Sequence, residues 1–187
     1  MFTQNNSNYN QQNNQNGPKE KTNFPIGKIY GSNGIIETKC WKSQNNALYV
    51  SLSIKQQIGK DPQGRTTYEN GLAKEIPSIL LRADSAKGLY MYLKNNAPEN
   101  YKLNDYSAQG FPDSKISFIG NEAGVRITIN DPKGIRTMDM PSTPVGDKNY
   151  NPLIDNFLTQ LKKAIDSAVL YKVAEELSNN SEEVPFQ

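Results

Sequence analysis

Twelve consecutive residues, Ala47 to Ile58, constrain this chain more than any other stretch. Leu48, Val50, Leu52 and Ile54 fall on one parity, and Tyr49, Ser51, Ser53 and Lys55 on the other. Successive strand side chains point to opposite faces, so the run predicts a β-strand with one face in a core and the other in water. Any fold that contains it must cover the first set with another layer. The second set offers an aromatic ring, two hydroxyls and an ammonium. An ordinary half-solvated strand has such a face too. The same groups also suit a polyanion with flat bases, because cations neutralise phosphates and rings stack on bases.

The flanking residues extend the pattern. Phe24 to Tyr30 reads as a short extended piece, and Gly31 to Gly34 as a turn of residues that tolerate positive φ. In Ile35 to Lys42, Ile35, Glu37, Lys39 and Trp41 share one face and Ile36, Thr38 and Cys40 the other, so the sole tryptophan is expected among charged groups. Ser43 to Asn46 is a hairpin turn. Gly59 to Arg65 is a loop by its Asp-Pro and glycine content, with Lys60 and Arg65 placed to clamp a backbone phosphate. Thr66 to Tyr68 and Glu75 to Leu81 are the next extended pieces, the second held to an edge or bulge by Pro77. Asp84 or Ser85 is expected to cap a helix from Ala86 to about Asn96. Asn100 to Asp113 reads as a linker. Further strands are expected at 115–119, 125–130 and 135–140. In the middle one Val125, Ile127 and Ile129 face in and Arg126, Thr128 and Asn130 out, with Arg136 extending the same polar surface. Asn151 followed by Pro152 starts a helix that runs to about Leu177, with Ile154, Phe157, Leu158, Leu161, Ile165, Ala168, Val169 and Val173 on one stripe. That length overreaches a small sheet, which predicts that part of the stripe buries against a partner subunit.

Composition narrows the chemistry. Histidine is absent and Cys40 is the single cysteine, which removes the commonest general base and any nitrogen or sulfur metal site. No glycine-rich phosphate loop or nucleophile motif stands in their place, so binding without cofactors is expected rather than catalysis. Neither a membrane-length apolar run nor a signal peptide is visible, and a lone, core-phased thiol fits a reducing cytoplasm. The formal charge of +2 is unevenly placed: residues 28–136 hold 15 Lys/Arg against 10 Asp/Glu, and residues 137–187 hold 4 against 8. Residues 1–23, rich in Asn and Gln, read as a disordered tail, 24–177 as the folded region with halves 24–98 and 114–177, and 178–187 as a flexible acidic tail.

Two resemblances follow from particular residues. Residues 47–54, the turn at 61–64 and residues 76–94 look like the strand, turn, strand and helix of the transcriptional coactivator positive cofactor four family. The recurrence of strands and helix from 115 to 177 makes the whole similar to the doubled, Whirly-like version of that fold, an α+β architecture whose curved antiparallel sheet binds single-stranded DNA. At the other end, Glu182, Glu183, Val184, Pro185 and Phe186 resemble the acidic tip of bacterial single-stranded DNA-binding proteins, here with Gln187 added. That resemblance implies a hook for replication or recombination partners. An oligonucleotide-binding barrel with an added C-terminal helix satisfies the same order of elements.

The combined expectation is a cytoplasmic single-stranded DNA-binding protein of replication or recombination, of phage or mobile-element type and homo-oligomeric. Lys39, Lys42, Lys55, Lys60, Arg65, Arg126, Lys133 and Arg136 would neutralise phosphates, and Tyr30, Trp41, Tyr49 and Tyr68 would stack bases. An RNA-binding or transcription-regulating module on the same fold, or a structural assembly protein, are the alternatives.

Overall fold

The alternating run forms a 13-residue strand in the computed structural model, which describes residues 23–43, 47–70, 75–108, 110–145 and 148–181. In chain order the elements are β1 (Asn23–Tyr30), β2 (Gly34–Lys42), β3 (Leu48–Lys60), β4 (Thr66–Tyr68), β5 (Ser78–Leu81), α1 (Ala83–Asn95), a 3₁₀ turn (Pro98–Asn100), β6 (Lys102–Ala108), β7 (Phe111–Asn121), β8 (Gly124–Asp131), β9 (Gly134–Pro141), β10 (Thr143–Val145), β11 (Lys148–Tyr150) and α2 (Pro152–Ser181). β1, β2 and β3 are consecutive neighbours, and β4 and β5 both pair with β3. β6 to β9 make a second antiparallel sheet, and β10 pairs with β11. The architecture is α+β, two curled antiparallel sheets with a C-terminal helix. No helix among the described residues is long and apolar enough to cross a membrane.

Each sheet turns one apolar face inward. Ile36, Val50, Leu52, Ile54, Ile79 and Leu81 are buried from the first sheet, and Phe118, Val125, Ile127, Ile129, Met138 and Met140 from the second. One helix closes both. In α2, Phe157 lies 5.7 Å from the Phe118 ring, and the Ala164 carbonyl is 3.5 Å from the Cys40 sulfur. Full burial of a large apolar side chain stabilises by about 1.5–3 kcal/mol. Asn151 starts the helix as its sequence predicts: its Oδ1 accepts from the Ile154 N–H at 3.1 Å, while its Nδ2 donates to the Met140 carbonyl at 2.9 Å.

Several boundaries differ from the sequence expectation. Residues 102–108, read as a linker, are β6, and the next strand starts at Phe111 rather than near Lys115, so the second sheet has four strands. The alternation is hidden because β6 slips register between Leu103 and Tyr106, where Asp105 takes a left-handed φ of 50°. α1 begins at Ala83 with Arg82 as its N-cap residue, and neither Asp84 nor Ser85 caps it. α2 continues to Ser181, past the expected end near Leu177 and into the segment read as a flexible tail. Val169 and Val173 are exposed, unlike the rest of their stripe. The tail at 1–22, the turn residues 44–46 and the acidic tip at 182–187 lie outside the described residues.

Polar contacts fix one half on the other. The β1–β2 turn meets β9, with the Ser32 N–H donating to the Asp139 carbonyl at 3.0 Å and the Asp139 N–H donating to Asn33 Oδ1 at 2.8 Å. Buried Asp131 accepts from the Ser78 N–H at 2.8 Å, and the Arg136 guanidinium reaches Glu69 at 2.9 Å. Close approach here requires Gly31, because a Cβ on it would stand 2.5 Å from the Asp139 carbonyl oxygen. Gly31→Ala should therefore lower stability by about 1–3 kcal/mol, read as a shift in the urea midpoint with unchanged slope. An unchanged midpoint would show that this turn does not hold the halves together.

Candidate nucleic-acid interface

Cross-strand pairing decides which side chains meet on the outer face of the first sheet. Trp41 pairs with Tyr49, Lys39 with Ser51, Glu37 with Ser53, Ile35 with Lys55, and Lys28 of β1 with Glu37. The Trp41 and Tyr49 rings are 5.7 Å apart, and Tyr49 meets Phe111 edge-on at 5.6 Å. All three are partly exposed, presenting flat apolar surface at the end of β2. At the opposite end Tyr30 and Tyr68 form an edge contact at 5.9 Å. The two aromatic groups are separated by roughly 20 Å, the rise of the six residues from Ile35 to Trp41.

Glu37 occupies the middle of this track. Only 2 % of its side chain is exposed, and three ammonium groups surround its carboxylate: Lys39 at 2.7 Å, Lys28 at 3.0 Å and Lys55 at 3.2 Å. Burial alone would push this carboxyl up, but hydrogen bonds from Lys39, Lys28 and Lys55 and the charge of Lys39 hold it down at about 2. The carboxylate is buried while the Lys28 side chain stays half exposed. Three cations against one anion leave the cluster positive between the two aromatic groups.

The structure brings together Trp41, Tyr49, Lys39 and Lys55 on one face, with Tyr30 and Tyr68 at its far end. Other predicted residues fall elsewhere. Lys42 shares the parity of Cys40, so it is buried, its ammonium 5.4 Å from the centre of the Tyr171 ring of α2. Lys60 is exposed beside the β3–β4 loop, in which Arg65 pairs with Asp61 at 2.6 Å. Arg126 lies on the outer face of the second sheet, 2.7 Å from Asp139. Arg136 does not extend that surface: it pairs with Ile129 across the ladder, on the opposite parity, and is held by Glu69. Lys133 is engaged by Asp131 at 3.5 Å and by the Ile76 carbonyl at 3.1 Å. Lys133 and Arg136 thus join the two halves instead of facing outward.

Two contributors to the face are absent from the sequence expectation, and a third has an unforeseen role. Phe111 lay in the presumed linker and Lys28 in a piece whose parity a register shift between Pro25 and Gly27 conceals, while Glu37 was placed on this face without its burial among three lysines. The one sequence signal for Glu37 was its place between Ile35 and Lys39 on the same parity. Among the described residues no three His, Cys, Asp or Glu side chains come together to hold a metal ion.

Comparison with protein-family models, with curated proteins and with solved structures finds no match.

The depressed Glu37 pKa makes a pH prediction. A carboxyl held below its usual 4.5 gives stability that is complete above that value and lost as pH falls through about 2. Glu37→Gln should be less stable than the parent near neutral pH, by on the order of 2–3 kcal/mol. In urea titrations at successive pH values, that gap should close between about pH 5 and pH 2. A gap that stays constant would mean that the lysines do not depend on the carboxylate charge.

Proposed function

We propose that this protein binds single-stranded nucleic acid, DNA in the first instance, along the outer face of its first sheet, without sequence preference and without catalysis. The observation that carries the reading is the row of partly exposed Trp41, Tyr49 and Phe111 rings beside the Lys28, Lys39 and Lys55 cluster. Rings accept unstacked bases of any identity, while ammonium groups fixed on the same strands and on neighbouring β1 meet the phosphates between them. Duplex DNA keeps its bases stacked inside, so a face of this composition favours the single strand. Ser51 and Ser53, cross-strand from Lys39 and Glu37, add hydroxyl donors to the same track.

The order of elements supports a Whirly-like reading of the fold, since four or more antiparallel strands precede a helix in each half. On this reading the protein coats single strands during replication or recombination, and its acidic tip, Glu182 to Phe186, recruits partner proteins.

The partnered cations change the expected energetics. Arg65, Arg126, Lys133 and Arg136 already meet carboxylates, so stacking contributes more per side chain than any of them. Trp41→Ala should weaken binding of a labelled oligothymidine by about 5- to 150-fold, the equivalent of 1–3 kcal/mol, and by more than Lys55→Ala. Fluorescence polarisation at low and physiological salt, against an equal-length duplex and a matched RNA, provides the measurement. Parent-like affinity of Trp41→Ala would remove this face as the binding surface. Tighter binding of the RNA would reassign the ligand, because only the 2′-hydroxyl and the thymine methyl distinguish the two strands locally.

Deleting residues 182–187 should preserve or tighten strand binding while abolishing recruitment of partner proteins. Weaker strand binding after the deletion would count against a recruiting tip.

A further inference from the structure

α2 has a second face that the two sheets do not cover. Ala164 and Ala168 point into the protein, while Val169, Leu170 and Val173, between a third and nearly half a turn round the helix, remain 48 %, 68 % and 46 % exposed. Beside them runs a groove of about 520 Å³ between α1 and α2, lined by Lys87, Tyr90 and Met91 on one side and Ile165, Val169 and Leu170 on the other. The helix spans 30 residues, about 45 Å at the standard rise, and Lys172, Val173, Ala174 and Glu176 are all exposed. An apolar patch continuous with an uncovered length of helix is an unusual surface for a monomer.

The charges on this face identify what covers it. Lys162, Asp166, Lys172 and Glu176 alternate plus, minus, plus, minus along this face; Lys162 pairs with Asp166 at 2.6 Å and Lys172 with Glu176 at 3.9 Å within the helix, and all four side chains stay more than half exposed, open to opposite charges of a second copy. Reversing the helix about Val169 brings Lys162 level with Glu176 of a second copy, Asp166 level with Lys172, Ile165 level with Val173, and Val169 with itself. Every ionic position then has the opposite sign at its level, and every apolar position an apolar one. Such self-complementarity is what a twofold, isologous interface demands, since each patch must recognise its own copy. We propose that the protein forms a symmetric dimer through antiparallel pairing of α2 centred on Val169. In it, the overhanging turn at 172–176 of each copy fills the α1–α2 groove of the other. Val173 enters beside Ile165 and Met91, and Glu176 approaches Lys162 and Lys87. The aromatic face of the first sheet lies on the side away from α2, so both copies keep it open.

Sedimentation equilibrium of the full chain without nucleic acid tests the proposal independently of any strand binding. The parent should sediment at twice its 20.9 kDa. Val169→Glu sets two carboxylates against each other on the axis and should be a folded monomer by circular dichroism. Lys162→Glu and Glu176→Lys should each weaken self-association by about tenfold or more, because each puts like charges level twice. Mixing the two variants should restore a heterodimer, in which both contacts are opposite in sign. A parent that is monomeric at all concentrations, a Val169→Glu variant that stays dimeric, or a mixture that does not pair would each overturn the proposal. A monomer that dimerises only after removal of residues 182–187 would overturn it too, by identifying the tail as the occupant.

Discussion

Burial of two sheets against one helix is the constraint from which the rest of the structure follows. Neither sheet has a helix of its own large enough to cover its apolar face, and α2 supplies Phe157 to the second sheet and Ala164 to the first. Sharing the helix forces the halves into contact, and there the backbone turn at Gly31 and the carboxylates Asp131 and Glu69 make the connection. On the outer face of the first sheet it leaves Trp41, Tyr49 and Lys39 partly exposed, although Ile35 and Glu37 on the same face are buried. At one end of that face Trp41, Tyr49 and Phe111 pack on one another and stay partly exposed.

Seven of the cations among the described residues already meet a carboxylate on or beside the two sheets. A carboxylate is placed against Arg65, Arg126, Lys133 and Arg136, and one buried carboxylate serves Lys28, Lys39 and Lys55 together. A cluster of three ammonium groups on an uncompensated strand surface would repel itself; a single anion beneath it fixes the positions and keeps a positive remainder. Charge density on the face is therefore modest. In the proposed binding mode, affinity for a strand rests on ring area more than on ion release, with a gentler salt dependence than a bare basic groove has.

The long helix extends this logic to assembly. Its sheet-facing side is committed to the core, its opposite side is solvated, and the face between carries valines among alternating charges. In the proposed dimer, pairing on that face joins two copies back to back and leaves the Trp41, Tyr49 and Phe111 rings on the outside, where the proposed strand binding would take place.

What the residues alone determined is whatever depends on period and local chemistry. The two-residue alternation of Leu48 to Lys55 and of Val125 to Asn130 gave the central strands and their faces, that of Ile35 to Trp41 put the tryptophan on the face of Glu37 and Lys39, and Asn151-Pro152 gave the start of α2. A two-residue period needs no partner to be read. The tertiary structure alone decided β6, whose alternation is broken at Asp105 and whose strand exists because β7 pairs with it. It decided too that Lys42, Lys133 and Arg136 serve the interior and the joint between halves, and that Phe111 completes the aromatic row. A charge in a sequence is the same whether its partner is a phosphate or a carboxylate 67 residues away, because ionic attraction depends on distance in space and sequence periodicity carries no information about it.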